Sequence, residues 1–119
     1  MIETIIKEVS NIDTLIKGLG ALMVIDIFTG VLLALKEKKF NSSIGKNGVL
    51  LKLSMIAGLA FAYIADILFN TNSFLRTSFT WLMIGYEGAS IVENLGNVGL
   101  KVPKYISDRF EQIKQKEGE

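Results

Sequence analysis

The sequence predicts an all-α integral membrane protein with about three transmembrane helices, flanked by an amphipathic helix at each end and assembled as a homo-oligomer. Half of the 119 residues are hydrophobic, and the mean hydropathy is +0.39. The charged residues, 21% of the chain, collect between and beside long apolar stretches. Both ends of the chain instead mix apolar and charged residues with helical spacing. At this length we expect one domain covering residues 1–119.

Residues 1–17 are predicted to form an amphipathic helix. Apolar residues recur there at spacings of three and four, and charged residues occupy the other faces. The acidic residues before the apolar run are not typical of a signal peptide. Such a helix can lie on the membrane surface, pack against a second subunit, or cover the bundle of its own chain.

The first predicted span covers residues 18–35, and Asp26 is its single charged residue. A helix of this length reaches about 27 Å, close to the roughly 30 Å of a hydrocarbon core. Its apolar side chains contribute about 3 to 6 kcal/mol to insertion, enough to offset one aspartate. Asp26, Thr29 and Gly30 share one face, which predicts a helix contact or a pore-facing position. An aspartate satisfied within its own monomer is the alternative.

The second predicted span covers residues 49–69 and follows a lysine-rich polar connection at 36–48. Lys52 and Asp66 lie near the two ends of this span, where each side chain can reach an interface. A stripe of small residues beside Asp66 lets another helix pack closely. The stripe consists of Gly58, Ala62 and Ala65.

The third predicted span, residues 73–95, carries Glu87 and Glu93 in what otherwise resembles a membrane helix. A charge near the bilayer centre costs about 2.5 to 3.5 kcal/mol, and this span also contains Arg76. An isolated helix of this sequence is therefore marginal in lipid. It needs partner helices, which predicts self-association.

One face of the third span combines polar and small residues. Glu87, Ser90 and Asn94 share this face because they are separated by three and seven residues. Gly85 and Gly88 lie close to it, and small side chains let a second helix backbone approach. We interpret the face as a close-packing polar seam for another helix or for water. The alternative is a seam that only holds a bundle together.

Residues 103–116 are predicted to form a cytoplasmic amphipathic tail. Ten of the thirteen Lys and Arg residues lie either in the tail after Leu100 or in the segment from Lys36 to Lys52, five in each. The N-terminal segment and the second turn hold the other three. The positive-inside rule then predicts a multi-pass protein with its N-terminus outside and its C-terminus in the cytoplasm.

The composition also excludes several classes of function. The chain contains no Cys and no His, so disulfides, thiolate or imidazole metal sites and the commonest nucleophile–base pairs are absent. We therefore expect neither an enzyme nor a cofactor. The net charge is +1 and the lysines lie beside apolar spans, which gives no indication of nucleic-acid binding.

Two motifs carry a resemblance to a known family. The first is D-x-x-T-G at residues 26–30, and the second is E-G-x-S-I-x-E-N at residues 87–94. With a basic connection and an apolar span between them, they resemble the toxin secretion and phage lysis holin family over roughly residues 24–103.

This resemblance implies a protein that oligomerises in the cytoplasmic membrane of a bacterial host. It also implies that the assembly opens lesions or pores, through which a cell-wall lytic enzyme or a toxin is released during phage lysis. The implied partners are copies of the same chain and the lipid bilayer. The residues predicted to line, gate or assemble such a pore are Asp26, Thr29, Gly30, Asp66, Gly85, Glu87, Gly88, Ser90, Glu93 and Asn94.

Two other functions fit the same residues. A small proton-coupled multidrug-type transporter has similar length and an intramembrane carboxylate, so Asp26 or Glu87 would be its coupling site. Such a carrier normally needs four spans, whereas three are clear in this sequence. A non-lytic holin antagonist, or a purely structural membrane subunit, would share the helices without killing cells.

Overall fold

A computed structural model describes residues 1–38 and 42–118 of the chain, with side chains at 1–7, 14–38 and 47–116. The regular secondary structure in these ranges is helical throughout, which confirms the predicted class. The described residues form four helices. In chain order they are α1 (Ile2–Glu37), α2 (Ser42–Phe69), α3 (Phe74–Val98) and α4 (Lys104–Gly118).

α1 is one continuous helix of 36 residues. The predicted amphipathic helix at 1–17 and the predicted span at 18–35 are therefore parts of a single element. Gly18 and Gly20 lie at the expected boundary, but neither ends the helix, because an interior glycine costs only about 1 kcal/mol and keeps the backbone hydrogen bonds. The helix ends at Glu37, and the next residue, Lys38, takes the left-handed conformation with φ of 55°.

α2 begins earlier than the predicted span at 49–69, so the polar connection predicted at 36–48 is mostly helical. Lys39 and the side chain of Lys46, both assigned to that connection, lie outside the described residues. The last two predicted elements, at 73–95 and 103–116, correspond to α3 and α4 with ends shifted by up to three residues.

Two of the described helices are long and apolar enough to cross a membrane. The segments are Thr14–Glu37 in α1 and Asn47–Phe69 in α2, with mean hydropathies of 2.2 and 1.9. Only 11% of each apolar window is buried inside the chain, whereas the core helix of a soluble protein is mostly buried. α3 is not apolar enough over a comparable length, because its charged side chains interrupt the apolar residues.

α3 is the central helix of the bundle and packs against each of the other three. α1 runs parallel to it, because Asp26 lies beside Ser90 and Lys36 lies beside Val98 at the far end. A small core forms where the two helices meet. It consists of Leu19, Met83 and Ile84, with Leu15, Leu22, Met23, Met55, Leu59 and Phe110 packed around it.

α2 runs antiparallel to α3, and Asp66 holds the turn between them. Its buried carboxylate accepts the backbone N–H groups of Leu75 and Arg76 at 2.9 and 2.8 Å and the hydroxyl of Thr71. Asp66 thereby satisfies donors in the first turn of α3 that have no partner inside that helix. The Arg76 guanidinium lies 3.8 Å from the same carboxylate and over the ring of Tyr63.

α4 folds back along α3 in the antiparallel direction. Its Phe110 ring lies against Gly88, and its backbone at Lys114 lies against Gly85. Phe110 and Ile113 pack inward against α3, whereas Tyr105 remains 75% exposed. The predicted tail is therefore a helix docked on α3.

The lysine-rich segments meet at one end of the bundle. α1 and α3 end there, and α2 and α4 begin there. Lys36 completes this end by donating to the carbonyls of Asn97 and Val98 at 3.1 and 2.8 Å. These carbonyls have no partner within α3 and carry the negative end of its dipole, so the ammonium stabilises the helix terminus and joins it to α1.

Candidate functional site

Three helices are joined by a buried cluster of charges. The ammonium of Lys52 on α2 donates to Asp26 Oδ2 on α1 at 2.9 Å, and to both carboxylate oxygens of Glu87 on α3 at 3.0 and 3.2 Å. The side chains of Lys52, Asp26 and Glu87 are 17%, 13% and 3% exposed. When both carboxylates are ionised, the cluster carries two negative charges and one positive charge, so the single cation neutralises the pair only in part.

The second oxygen of Asp26 is held by α3. Ser90 Oγ donates to Asp26 Oδ1 at 2.7 Å, and Asn94 Nδ2 donates to the same oxygen at 3.1 Å. Asn94 also donates to Thr29 Oγ1 at 3.1 Å, and the Thr29 hydroxyl donates to the carbonyl of Ile25 at 2.9 Å. The polar stripe of α1 and the polar stripe of α3 therefore form one hydrogen-bonded network.

Removing one member of such a cluster has a large physical effect. Burying charges costs several kcal/mol per ion, which close pairing and hydrogen bonds offset. Loss of one partner leaves the other buried and unpaired, at a cost of about 3 to 5 kcal/mol. The cluster therefore stabilises the arrangement of α1, α2 and α3 while all three charges are in place, and loss of any one of them destabilises it.

A groove of about 600 Å³ lies beside the cluster. It runs between α2, α3 and α4, and both apolar and charged side chains line it. The charged residues that line it are Asp26, Lys52, Glu87, Glu93, Glu111 and Lys114. Water or ions that enter this groove reach the cluster from one side of the bundle.

Comparison with known proteins identifies the family. A sequence profile described as the Bacteriophage holin family matches residues 4–115, which is nearly the whole chain. The chain belongs to the bacteriophage holin family. Holins are membrane pore-forming proteins and not enzymes, which confirms the prediction that this chain has no catalytic role. The resemblance seen in the two sequence motifs is confirmed as well.

Individual relatives of this holin-family chain come from bacteria and from a phage. It is 37% identical to the holin-like protein TcdE of Clostridioides difficile, over 71% of this chain and 61% of that protein. It is 33% identical to a protein named "Probable holin" from Bacillus phage phi105, over 89% and 76% of the two chains.

A third relative is the uncharacterized protein YqxH of Bacillus subtilis (strain 168), 37% identical over 77% of this chain and 66% of that protein. The chain thus spans less than two thirds of the length of YqxH and of TcdE. No solved structure matches it.

The structure brings together five of the residues that the sequence singled out in this holin-family chain. These are Asp26, Thr29, Glu87, Ser90 and Asn94, all members of the network between α1 and α3. Gly30 lies at the edge of this network, where a β-carbon would be 3.8 Å from Asn94 Nδ2. Whether the five line or gate a pore stays a prediction.

The other predicted residues lie elsewhere. Asp66 caps α3 at the opposite end of the bundle from the lysine-rich segments. Gly85 and Gly88 lie beneath α4. Glu93 is exposed at the edge of the groove.

Lys52 is the member of the site that sequence reasoning missed. We expected its side chain to extend to the membrane interface, and it turns inward instead. A signal was present in the sequence: Lys52 and Arg76 are the only cations within the predicted spans. Each of them pairs with an aspartate or glutamate of those spans.

Proposed function

We propose that this chain oligomerises in the cytoplasmic membrane of a bacterial host and opens lesions that release a cell-wall lytic enzyme during phage lysis. The observation that supports this best is the Asp26–Lys52–Glu87 cluster. It places three charges between helices whose outer surfaces are apolar, in a chain of a pore-forming family. A relative named as a probable holin of a phage supports the lytic role.

The outer surfaces of α1 and α2 fit lipid. Both helices present large apolar side chains outward, although they belong to a folded bundle. On α1 these are Val24, Ile25, Ile27, Phe28, Val31 and Leu35, and on α2 they include Leu50, Leu53, Phe61, Ile64, Ile67 and Leu68. A contiguous apolar surface of this extent is unfavourable in water and favourable in a bilayer.

α3 is proposed as the third span because it runs alongside both of these helices. Its sequence alone is too polar to insert readily, but its polar groups are satisfied inside the bundle. Glu87 binds Lys52, and Ser90 and Asn94 bind Asp26. Intramembrane charges that pair in this way and face the bundle interior are tolerated in membranes.

The lysine-rich end of the bundle is proposed to face the cytoplasm. Lys36, Lys101 and Lys104 all belong to this end, where α1 and α3 finish and α4 begins. Basic residues are retained on the cytoplasmic side of spans. This orientation puts the N-terminus of α1 outside and the N-terminus of α4 on the cytoplasmic side.

Expression from an inducible promoter in a bacterium, with and without a lytic enzyme, tests the proposal. We expect abrupt loss of membrane potential and of viability, and release of a cytosolic marker enzyme. Cells that stay viable would point to an antagonist or a structural subunit. Proton-driven efflux of a small cation from vesicles that retain a large fluorescent dextran would point to a carrier.

Two substitutions at Asp26 provide a matched pair of variants. Asp26→Leu removes the acceptor for Lys52, Ser90 and Asn94 while making α1 more apolar, so it should insert normally and change the time at which the membrane opens. Asp26→Asn keeps an oxygen acceptor and should change that time less. If both variants accumulate in the membrane and open it on the wild-type schedule, the cluster has no role in gating.

A further inference from the structure

The contact between α4 and α3 depends on two glycines. A β-carbon added at Gly88 would lie 2.1 Å from Phe110 Cδ1, and one added at Gly85 would lie 2.9 Å from the backbone nitrogen of Lys114. Real β-carbons essentially never come this close to other atoms. α4 therefore occupies the close-packing face of α3, which we define as the surface around Gly85 and Gly88.

α4 is an unusual occupant for a surface at this depth. Gly85 lies about 20 Å along α3 from the helix end at Val98, because a helix rises about 1.5 Å per residue. α1 and α2 are apolar on the outside over the same depth. α4 nevertheless carries a charged residue about every second or third position. These residues are Lys104, Asp108, Arg109, Glu111, Lys114, Lys116 and Glu117.

Few apolar side chains hold α4 in place. Phe110 and Ile113 contact the glycine face, and Lys114 adds a cation–π contact with the ring of Tyr86 at 5.1 Å. Tyr105 and Ile106 are 75% and 41% exposed and contribute little. Charges near hydrocarbon favour departure of this helix, whereas the contacts of Phe110 and Ile113 favour docking.

We propose that α4 is a displaceable cover of the close-packing face, and that a second copy of this chain takes its place. Docked, α4 keeps each protomer from pairing through α3. Released toward the cytoplasm, it leaves Gly85 and Gly88 open to α3 of the second copy. This inference rests on the proposed function, because the cover restrains an assembly only if the chain opens membranes by self-association.

A second α3 fits this face better than α4 does once the bilayer surrounds it. The docked α4 shows that the face accepts a helix at backbone contact distance. Helices associate in lipid through such small-residue surfaces, because close approach gains packing contacts. Pairing of two α3 faces also leaves the charges of both α4 helices in water.

The first test removes the aromatic ring of Phe110. Phe110→Ala should shift the ratio of docked to released α4 by at least about tenfold, and should bring forward the onset of membrane opening at equal protein abundance. Tyr105→Ala is the matched control, since it removes an exposed aromatic side chain from the same helix. An unchanged or delayed onset in Phe110→Ala, with Tyr105→Ala behaving like wild type, would overturn the proposal.

The second test changes the close-packing face of α3 itself. Gly88→Ala adds one methyl group where Phe110 lies, so α4 should be displaced. The alanine side chain is still small enough to let a second helix approach closely. More cross-linked dimer and earlier opening are expected. Gly96→Ala is the control on the same helix, because a β-carbon at Gly96 meets nothing within 4 Å. Fewer dimers in Gly88→Ala would contradict the inference.

The third test locks the cover in place. Trp81 on α3 and Gln112 on α4 line one cleft, and the native chain has no Cys. In liposomes, Trp81→Cys/Gln112→Cys treated with a short reducible bifunctional thiol reagent should retain trapped dye, and a reducing agent should restore release. The two single-cysteine proteins, treated alike, are the controls.

The result separates the inference from the function on which it rests. Dye release by the locked protein, at the rate of the controls, would show that α4 does not restrain assembly. Retention of dye by the untreated protein and by both controls would instead contradict the proposed pore formation itself.

Discussion

Lys52 on α2 donates to both carboxylate oxygens of Glu87 on α3, at 3.0 and 3.2 Å. The same ammonium binds Asp26 on α1, so one side chain joins the three helices. α1 and α2 present their apolar surfaces outward. The cluster therefore joins all three helices, whereas the other contacts of α2 include the packing of Met55 and Leu59 on the core and the Asp66 turn at the opposite end.

Lys52→Met should destabilise the bundle, because it leaves Asp26 and Glu87 buried without their cation. We expect a loss of about 3 to 5 kcal/mol in the free energy of unfolding, measured by denaturant titration in detergent micelles. Lys101→Met removes an exposed lysine and should change stability little. Equal stability of the two variants would mean that the cluster does not hold the helices together.

The spans of α1 and α2 were readable from the sequence because long apolar runs are a sufficient signal. The joining of 1–17 and 18–35 into one helix was not, since Gly18 and Gly20 only weaken a helix and nothing local shows whether it continues. Composition alone does not show whether α3 crosses the membrane. Its charged residues have partners on other helices, and hydropathy counts them as though they had none.

The polar network could be predicted in part. Helical spacing placed Ser90 and Asn94 on the face of Glu87, and that face does meet Asp26. The inward turn of Lys52 depends on where α2 packs, so no property of α2 alone reveals it. Glycines likewise indicate close approach without naming the helix that approaches, and on this chain that helix is α4.

Asp66 offers a prediction that separates a structural role from a pore role. Its carboxylate accepts two backbone N–H groups in the first turn of α3, so Asp66→Ala should destabilise the α2–α3 turn by about 1 to 2 kcal/mol. Unfolding in micelles measures this loss. Asp66→Asn keeps one acceptor oxygen and should lose less. Normal stability of Asp66→Ala with altered pore properties would instead assign Asp66 to the assembly.

The orientation of the bundle predicts which turns are accessible from outside. Asn72 lies in the exposed turn between α2 and α3, at the end remote from the lysine-rich segments. A membrane-impermeant thiol reagent added to intact spheroplasts, before any lesion forms, should label Asn72→Cys and leave Ser42→Cys unlabelled. The chain has no native Cys, so there is no background. The reverse pattern would invert the proposed topology.

Gly88→Leu differs from Gly88→Ala because its side chain is too large for either occupant of the close-packing face. The added bulk would displace Phe110, which already lies 2.1 Å from the position of a β-carbon, and would also hold a second α3 away. Leucine raises the apolar content of α3, so the variant should still insert. We therefore expect normal abundance in the membrane, fewer cross-linked oligomers and loss of membrane opening. Gly96→Leu, on the same helix where space is open, should retain both activities. Oligomers and lysis that persist in Gly88→Leu would place the assembly surface elsewhere, and the next candidates would be the outward faces of α1 and α2.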